Sequence, residues 1–189
     1  TNNFISATIN PNNGELFSLI NVSATTVTIA RSTDFGVTWT TGSPVTIPSF
    51  TPLYTKLMYD TSVNRLLLGK SESFASQTNA ILQSTDNGLS WSPFFTITST
   101  TANTWVTLSK TYSDAAPHSI AFYTNNGGTS AYTFYGINKT TGAIETGATV
   151  PVSIFPIDSG SGIALTYSPM ANLYAWSAVS GSTASTVAV

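Results

Sequence analysis

Apolar and polar positions alternate along most of this chain in short runs, and each run is cut by a cluster of Asn, Gly, Asp, Ser or Pro. Phe4 to Ile9 alternates, Asn10-Pro11-Asn12-Asn13-Gly14 interrupts it, Leu16 to Ile20 resumes, and Thr26 to Ala30 follows a polar gap. A period of two predicts half-buried strands, and the interruptions predict the turns that join them. The order then returns: Thr55 to Tyr59, a turn over Asp60 to Asn64, Arg65 to Gly69 and Ala80 to Gln83. A third round places strands at Val106 to Lys110, Ser119 to Tyr123 and Tyr132 to Ile137; a fourth places them at Ile163 to Tyr167, Leu173 to Ala178 and Thr186 to Val189. The first-turn positions Asn10, Asp60, Ser113 and Ser168 are 50, 53 and 55 residues apart. That spacing predicts four structural units at about 4–47, 48–98, 99–150 and 151–189, each a small sheet that must stack on its neighbours to bury a core.

In the first two units the third strand runs into the same octad. Ser32-Thr33-Asp34-Phe35-Gly36-Val37-Thr38-Trp39 and Ser84-Thr85-Asp86-Asn87-Gly88-Leu89-Ser90-Trp91 set their aspartates 52 residues apart (86 − 34). Each reads as a tight turn into a fourth strand over Val37 to Thr41 or Leu89 to Ser92. Gly36 and Gly88 supply positive φ, while Asp34 and Asp86 accept hydrogen bonds from backbone N–H groups that the turn leaves unpaired. Trp39 and Trp91 are expected to bury their faces against the layer beneath while each indole N–H finds a partner. In the third unit Gly142 of Asn138-Lys139-Thr140-Thr141-Gly142 falls 54 residues after Gly88, with Thr140 replacing the aspartate and Glu145 the tryptophan, so this turn reads as a degenerate copy.

The paired octads resemble the Asp-box, or BNR repeat, of sialidase-type β-propellers. The resemblance implies an all-β fold: a β-propeller of four-stranded antiparallel blades with Asp-box turns, about four repeats in this chain and the last incomplete. Residues 1–189 would then form a single propeller domain or a fragment of one. Ser32, Asp34, Gly36 and Trp39, with Ser84, Asp86, Gly88 and Trp91, would be structural. The last unit stops one strand short, and the open edge would be completed by N-terminal residues, by further blades of a longer chain, or by a homo-oligomer partner.

Composition narrows the chemistry. Charged residues are 7% and aromatics 12%, which excludes a disordered polyampholyte and fits a Thr/Ser-coated β fold. Six Lys plus Arg and a net charge of −2 leave no basic stripe, so no nucleic-acid partner is expected. No apolar run is long enough to cross a bilayer. The absence of cysteine removes disulfides, thiolate metal sites and a Cys nucleophile together, and neither metal nor cofactor is expected. Few Lys and Glu beside many Thr, Ser and Asn suggest an extracellular or virion-surface protein. Asn21-Val22-Ser23 and Asn138-Lys139-Thr140 match the N-glycosylation pattern.

Sialidases of the resembled fold hold the substrate carboxylate with three arginines, and this chain has only Arg31 and Arg65. Both read as solvated or stem-packing residues. A two-carboxylate glycosidase remains an alternative; Asp60 and Asp114 fall in repeat-equivalent turns, which leaves Glu72 and Asp158 as candidate acids. His118, the one histidine, reads as a solvated turn residue with no nucleophile signature beside it.

In propellers that resemble this one, the ligand face lies opposite the box turns. That topology assigns the ligand face to loops 46–54, 99–105 and 150–162 between blades, and 22–25, 70–79, 125–131 and 179–185 within them. They carry Tyr54, Glu72, Phe74, Trp105, Asn125, Asn126, Phe155 and Asp158, a set of aromatic plates with amide and carboxylate neighbours suited to sugars. The leading expectation is a non-catalytic module that binds a carbohydrate or cell-surface receptor, as in the head of a viral spike or fibre. A glycoside hydrolase and a purely structural assembly repeat are the competing readings. Alanine at Trp39 or Trp91 is expected to unfold a blade, and alanine at Trp105 or Tyr54 to weaken attachment.

Overall fold

The computed structural model describes residues 3–23, 26–46, 55–70, 78–97, 105–110, 116–125, 131–151, 163–168, 170, 173–180 and 183–188. Every described element is a strand, and the strands form four separate antiparallel sheets whose order follows the chain. Blade 1 contains β1 (Asn3–Ile9), β2 (Leu16–Asn21) and β3 (Thr26–Ser32), with an outer strand in two pieces, β4 (Thr40–Thr41) and β5 (Val45–Thr46), both paired to β3. Blade 2 is β6 (Thr55–Asp60), β7 (Arg65–Lys70), β8 (Thr78–Ser84) and β9 (Ser92–Ile97). Blade 3 is β10 (Trp105–Lys110), β11 (His118–Asn125), β12 (Ala131–Asn138) and β13 (Ile144–Pro151). Blade 4 has three strands, β14 (Ile163–Ser168), β15 (Leu173–Ser180) and β16 (Thr183–Ala188). The fold is an all-β propeller architecture of meandering blades. The chain forms two compact units, one of blades 1 and 2 and one of blades 3 and 4.

The alternation of the sequence decides what each face of the first unit buries. Phe17 and Leu19 on β2, Val27 and Ile29 on β3, Leu57 and Tyr59 on β6, Leu66 and Leu68 on β7 and Leu82 on β8 form one core between the two blades. Phe17 and Tyr59 stack at 5.8 Å across it. Each fully buried Leu or Phe contributes about 1.5–3 kcal/mol relative to exposure, so this core dominates the unit. Its inner seam is polar: the Leu57 and Tyr59 N–H groups donate to Ser6 Oγ at 3.1 Å and Thr8 Oγ1 at 3.0 Å. The hydroxyls stand in for a strand partner that the neighbouring blade cannot supply. In the second unit Leu108, Ile120, Phe122, Phe134 and Ile137 are buried. There Phe122 lies directly opposite Tyr135 with the rings stacked at 5.0 Å, and β10 runs beside β14.

Two features depart from expectation. The fourth strands of blades 1 and 2 begin at Thr40 and Ser92, later than the alternation suggests, because the backbone N–H groups of Thr38 and Ser90 are spent on the turn carboxylates. In blade 1 the outer strand is then broken at Gly42-Ser43-Pro44: the Gly42 N–H still reaches Ile29 O at 2.9 Å, but Pro44 has no N–H to offer a ladder.

Candidate functional site

The two octad turns are close copies in atomic detail. Ser32 Oγ donates to Asp34 Oδ1 at 2.8 Å and accepts the Gly36 N–H at 2.8 Å, while the Asp34 carboxylate accepts the Thr38 N–H at 2.8 Å and the Thr38 hydroxyl at 2.6 Å. Ser84 Oγ donates to Asp86 Oδ1 at 2.6 Å and accepts the Gly88 N–H at 2.8 Å; Asp86 accepts the Ser90 N–H at 2.9 Å and the Ser90 hydroxyl. Hydrogen bonds from the Thr38 hydroxyl, the Thr38 N–H and Ser32 hold the Asp34 carboxyl down at about 2. Partial desolvation pushes Asp86 up, but the hydroxyls of Ser84 and Ser90 and the N–H groups of Ser90 and Leu89 outweigh it and bring Asp86 also to about 2. Both carboxylates are spent on holding the turn.

The tryptophans differ from expectation. Trp39 is exposed, its indole N–H donating to Gly36 O at 3.0 Å. Trp91 packs against the core, yet its buried Nε1 has no partner. Neither is in a strand; each sits one residue before one. Trp39 therefore does not anchor its blade: solvent covers much of its ring, whereas Trp91 packs against the core shared by blades 1 and 2.

The third-unit turn is not a degraded octad. Asn138 N–H donates to Ala143 O, Gly142 N–H to Asn138 O, and Asn138 Oδ1 accepts the Thr140 N–H, with Gly142 at φ 67°. The first turn of blade 1 has the same pattern: Asn10 N–H to Glu15 O, Gly14 N–H to Asn10 O, Asn12 N–H to Asn10 Oδ1, and Gly14 at φ 77°. The shared signature is Asn followed four residues later by Gly. Glu145 does not occupy a tryptophan position; it accepts from Asn138 Nδ2 at 2.7 Å and contacts His118 Nε2 at 2.8 Å. These bonds, Asn138's first and His118's second, lower the Glu145 carboxyl. His118 is thus no free turn residue. Its half-buried ring crosses β12 over Gly136, where a Cβ would lie 2.3 Å from the imidazole, and the trio ties β11, β12 and β13 together.

The arginines are also engaged. Arg65 is buried, with Nε donating to Asp60 Oδ2 at 2.9 Å, Nη1 donating to Gln83 Oε1 at 2.9 Å, and its guanidinium 4.0 Å above the centre of the Phe94 ring. Arg31 pairs with Glu15 at a partly exposed site. The five described carboxylates, Glu15, Asp34, Asp60, Asp86 and Glu145, are therefore all held by structural partners. Among the described residues no cluster of three or more His, Asp or Glu could hold a metal ion.

Of the expected ligand residues, Tyr54, Glu72, Phe74, Asn126, Phe155 and Asp158 lie outside the described residues. Trp105 and Asn125 are brought together. Trp105 opens β10 directly opposite Asn125 at the end of β11, Asn125 is opposite Tyr132 on β12, and Tyr132 is opposite Val150 on β13. The register therefore lines up Trp105, Asn125 and Tyr132 across β10, β11 and β12 at the end of blade 3 remote from its Asn138 turn. Tyr132 was missed because its place in that row depends on the β11–β12 register, which an undefined hairpin length leaves open.

No family model and no curated sequence matches the chain. Among solved structures it is similar to a Penicillium chrysogenum α-L-arabinanase complexed with arabinobiose, at TM-score 0.54 and 18% identity, covering 98% of this chain and 61% of that one. A β-fructofuranosidase from Schwanniomyces occidentalis complexed with fructosyl-erythritol matches at TM-score 0.46 and 11% identity over 94% of this chain and 40% of its own. YCF48 bound to D1 peptide matches at TM-score 0.38 and 11% identity over 94% and 61%. The arabinanase is a β-propeller, in agreement with the blades described above, and this chain spans 61% of its length.

Proposed function

We propose that the chain is a carbohydrate-recognition propeller, that its two octad turns are Asp-boxes, and that glycans bind at the end of blade 3 remote from its Asn138 turn. The observation that carries the reading is the strand register that pairs Trp105 with Asn125 and Asn125 with Tyr132 across one sheet end. Sugar C–H faces pack on aromatic rings and hydroxyls pair with planar amides. The described carboxylates are all occupied in holding turns and strands, which favours binding over hydrolysis in this part of the molecule. Tyr54, Phe74, Asn126 and Phe155 remain further candidates from the sequence alone, and a glycan or cell-surface receptor at an extracellular or virion surface would be the partner.

A second reading is favoured by one observation, the likeness to an arabinanase: a glycoside hydrolase, or part of one, with Glu72 and Asp158 as its acids. A glycan array probed with purified protein, followed by titration of the best oligosaccharide, distinguishes them. Recognition requires binding that Trp105→Ala or Asn125→Ala weakens by about tenfold or more with an unchanged Tm. Release of reducing sugar from arabinan, abolished by Asp158→Asn, would replace recognition with hydrolysis. No turnover of a fluorogenic sialoside is expected, because two arginines cannot make a three-arginine clamp.

A further inference from the structure

Charge is distributed unevenly along blade 3. Strand pairing sets Lys110 opposite Ile120, His118 opposite Asn138 and Glu145 opposite Gly136, all toward the Asn138 turn, and the Lys139 N–H donates to Pro117 O at 2.9 Å at that same end. Asp114 belongs in sequence to the connection between β10 and β11, which joins the strands there. The remote end has a different composition. Trp105, Asn125, Tyr132 and Val150 are successive cross-strand partners, and the next row toward the turn is Val106, Thr124, Thr133 and Thr149. Neither row contains a Lys, Arg, His, Asp or Glu. The segments that connect the strands at this end, 98–104, 126–130 and 152–162, contain no Lys, Arg or His and a single acid, Asp158. From Ile163 to Val189 the chain has no charged residue at all.

Given carbohydrate recognition at this end of blade 3, the reading proposed above, we infer that the ligand is an uncharged glycan, built of sugars whose polar groups are hydroxyls, ring ethers and N-acetyl amides, and that sialylated, sulfated and uronic acid chains are rejected. A carboxylate or sulfate gives up hydration when it enters a site, and a cation or aligned N–H donors must replace what it loses. These strand ends and their connections offer no cationic residue, while Asp158 and the net charge of −2 have the wrong sign for an anion. A neutral sugar needs no counter-charge. Asn amides and Thr hydroxyls both donate and accept, as sugar hydroxyls do, and aromatic rings pack on C–H faces. Recognition without charge has a second signature, a weak dependence on ionic strength, because salt screens charge pairs and leaves stacking and neutral hydrogen bonds nearly untouched.

A glycan array that carries neutral oligosaccharides beside their sialylated, sulfated and uronic counterparts, probed with the purified full chain, tests this. The best neutral chain and its charged counterpart are then titrated at about 50 and about 500 mM NaCl, which spans screened and weakly screened conditions. The expected result is a neutral glycan bound at least about tenfold more tightly than its anionic counterpart, with a Kd that changes less than about twofold with salt. Trp105→Ala should weaken that binding about tenfold or more at unchanged Tm; if it lowers the Tm, Asn125→Ala supplies the same readout. An anionic glycan that binds as tightly as its neutral counterpart, or a neutral one whose Kd rises more than about tenfold with salt, overturns the neutral ligand and leaves carbohydrate recognition standing. An array with no bound glycan removes recognition itself and the neutral ligand with it. Neutral binding that neither variant weakens places the ligand away from this end of blade 3 and overturns the assignment.

Discussion

Blades 1 and 2 place the same turn scaffold on different chemistry. Glu15 and Arg31 in blade 1 occupy the positions of Arg65 and Gln83 in blade 2, yet the first pair is partly solvated and the second is sealed with Asp60 beneath it. Phe35 and Trp39 are exposed where Asn87 is at ease and Trp91 is packed. The hydrogen bonds among the Ser, Asp, Gly and hydroxyl positions of the octads are nonetheless the same. The turn is therefore autonomous, held by Ser, Asp, Gly and a hydroxyl residue, and the surrounding side chains are free to respond to whatever covers them.

The sharpest break in that comparison comes from the ion pairs. Asp60→Ala leaves the Arg65 guanidinium buried without its carboxylate and should destabilise by about 3–5 kcal/mol, whereas Glu15→Ala removes a partly solvated partner and should cost about 0–1 kcal/mol. Urea denaturation of the two variants measures the gap; equal losses would mean that the two pairs are equivalent after all. The tryptophans should differ less. Trp91→Ala should approach the about 3 kcal/mol lower bound for a buried aromatic, while Trp39→Ala should leave the Tm nearly unchanged because solvent already covers much of its ring.

The smallest effect sharpens the likeness. Asp34 and Asp86 both titrate near 2 in the folded chain, below their ordinary 3.8. A depressed carboxyl contributes stability that is fully present above its unfolded value and is lost as pH falls through the folded one. Melts should therefore show a decline between pH 4 and pH 2, and Asp34→Asn and Asp86→Asn should each remove a comparable share of that slope.

The all-β fold, the strand order and the octad turn hydrogen bonds were legible because they rest on local chemistry: alternation, turn residues and the Ser-x-Asp-x-Gly spacing. The unequal tryptophans were not, since equal sequence neighbours do not reveal which of the two reaches the core. His118 was misread for a related reason. Its reach to Glu145 depends on Gly136 lying under the ring on a different strand, and only the register of β11, β12 and β13 brings the three together. The Asn138 turn could have been recognised from the sequence, because Asn10 to Gly14 and Asn138 to Gly142 have the same spacing. The row of Trp105, Asn125 and Tyr132 joined two residues picked from loop composition with one that only strand pairing supplies.

The chain-order pairing of strands within each sheet has a consequence for how the molecule forms. Hairpin closure between sequence neighbours carries a small entropic penalty, and local topologies fold quickly, so each blade can zip soon after it leaves the ribosome. Its apolar side then waits. Phe17, Leu19, Val27 and Ile29 have no cover until β6, β7 and β8 have been synthesised and docked, and for that interval the nascent chain is a greasy half-sandwich open to aggregation. Slowing translation between residues 46 and 55 should therefore lower the yield of soluble protein, while delay after Ile97, once both halves of this core are made, should not.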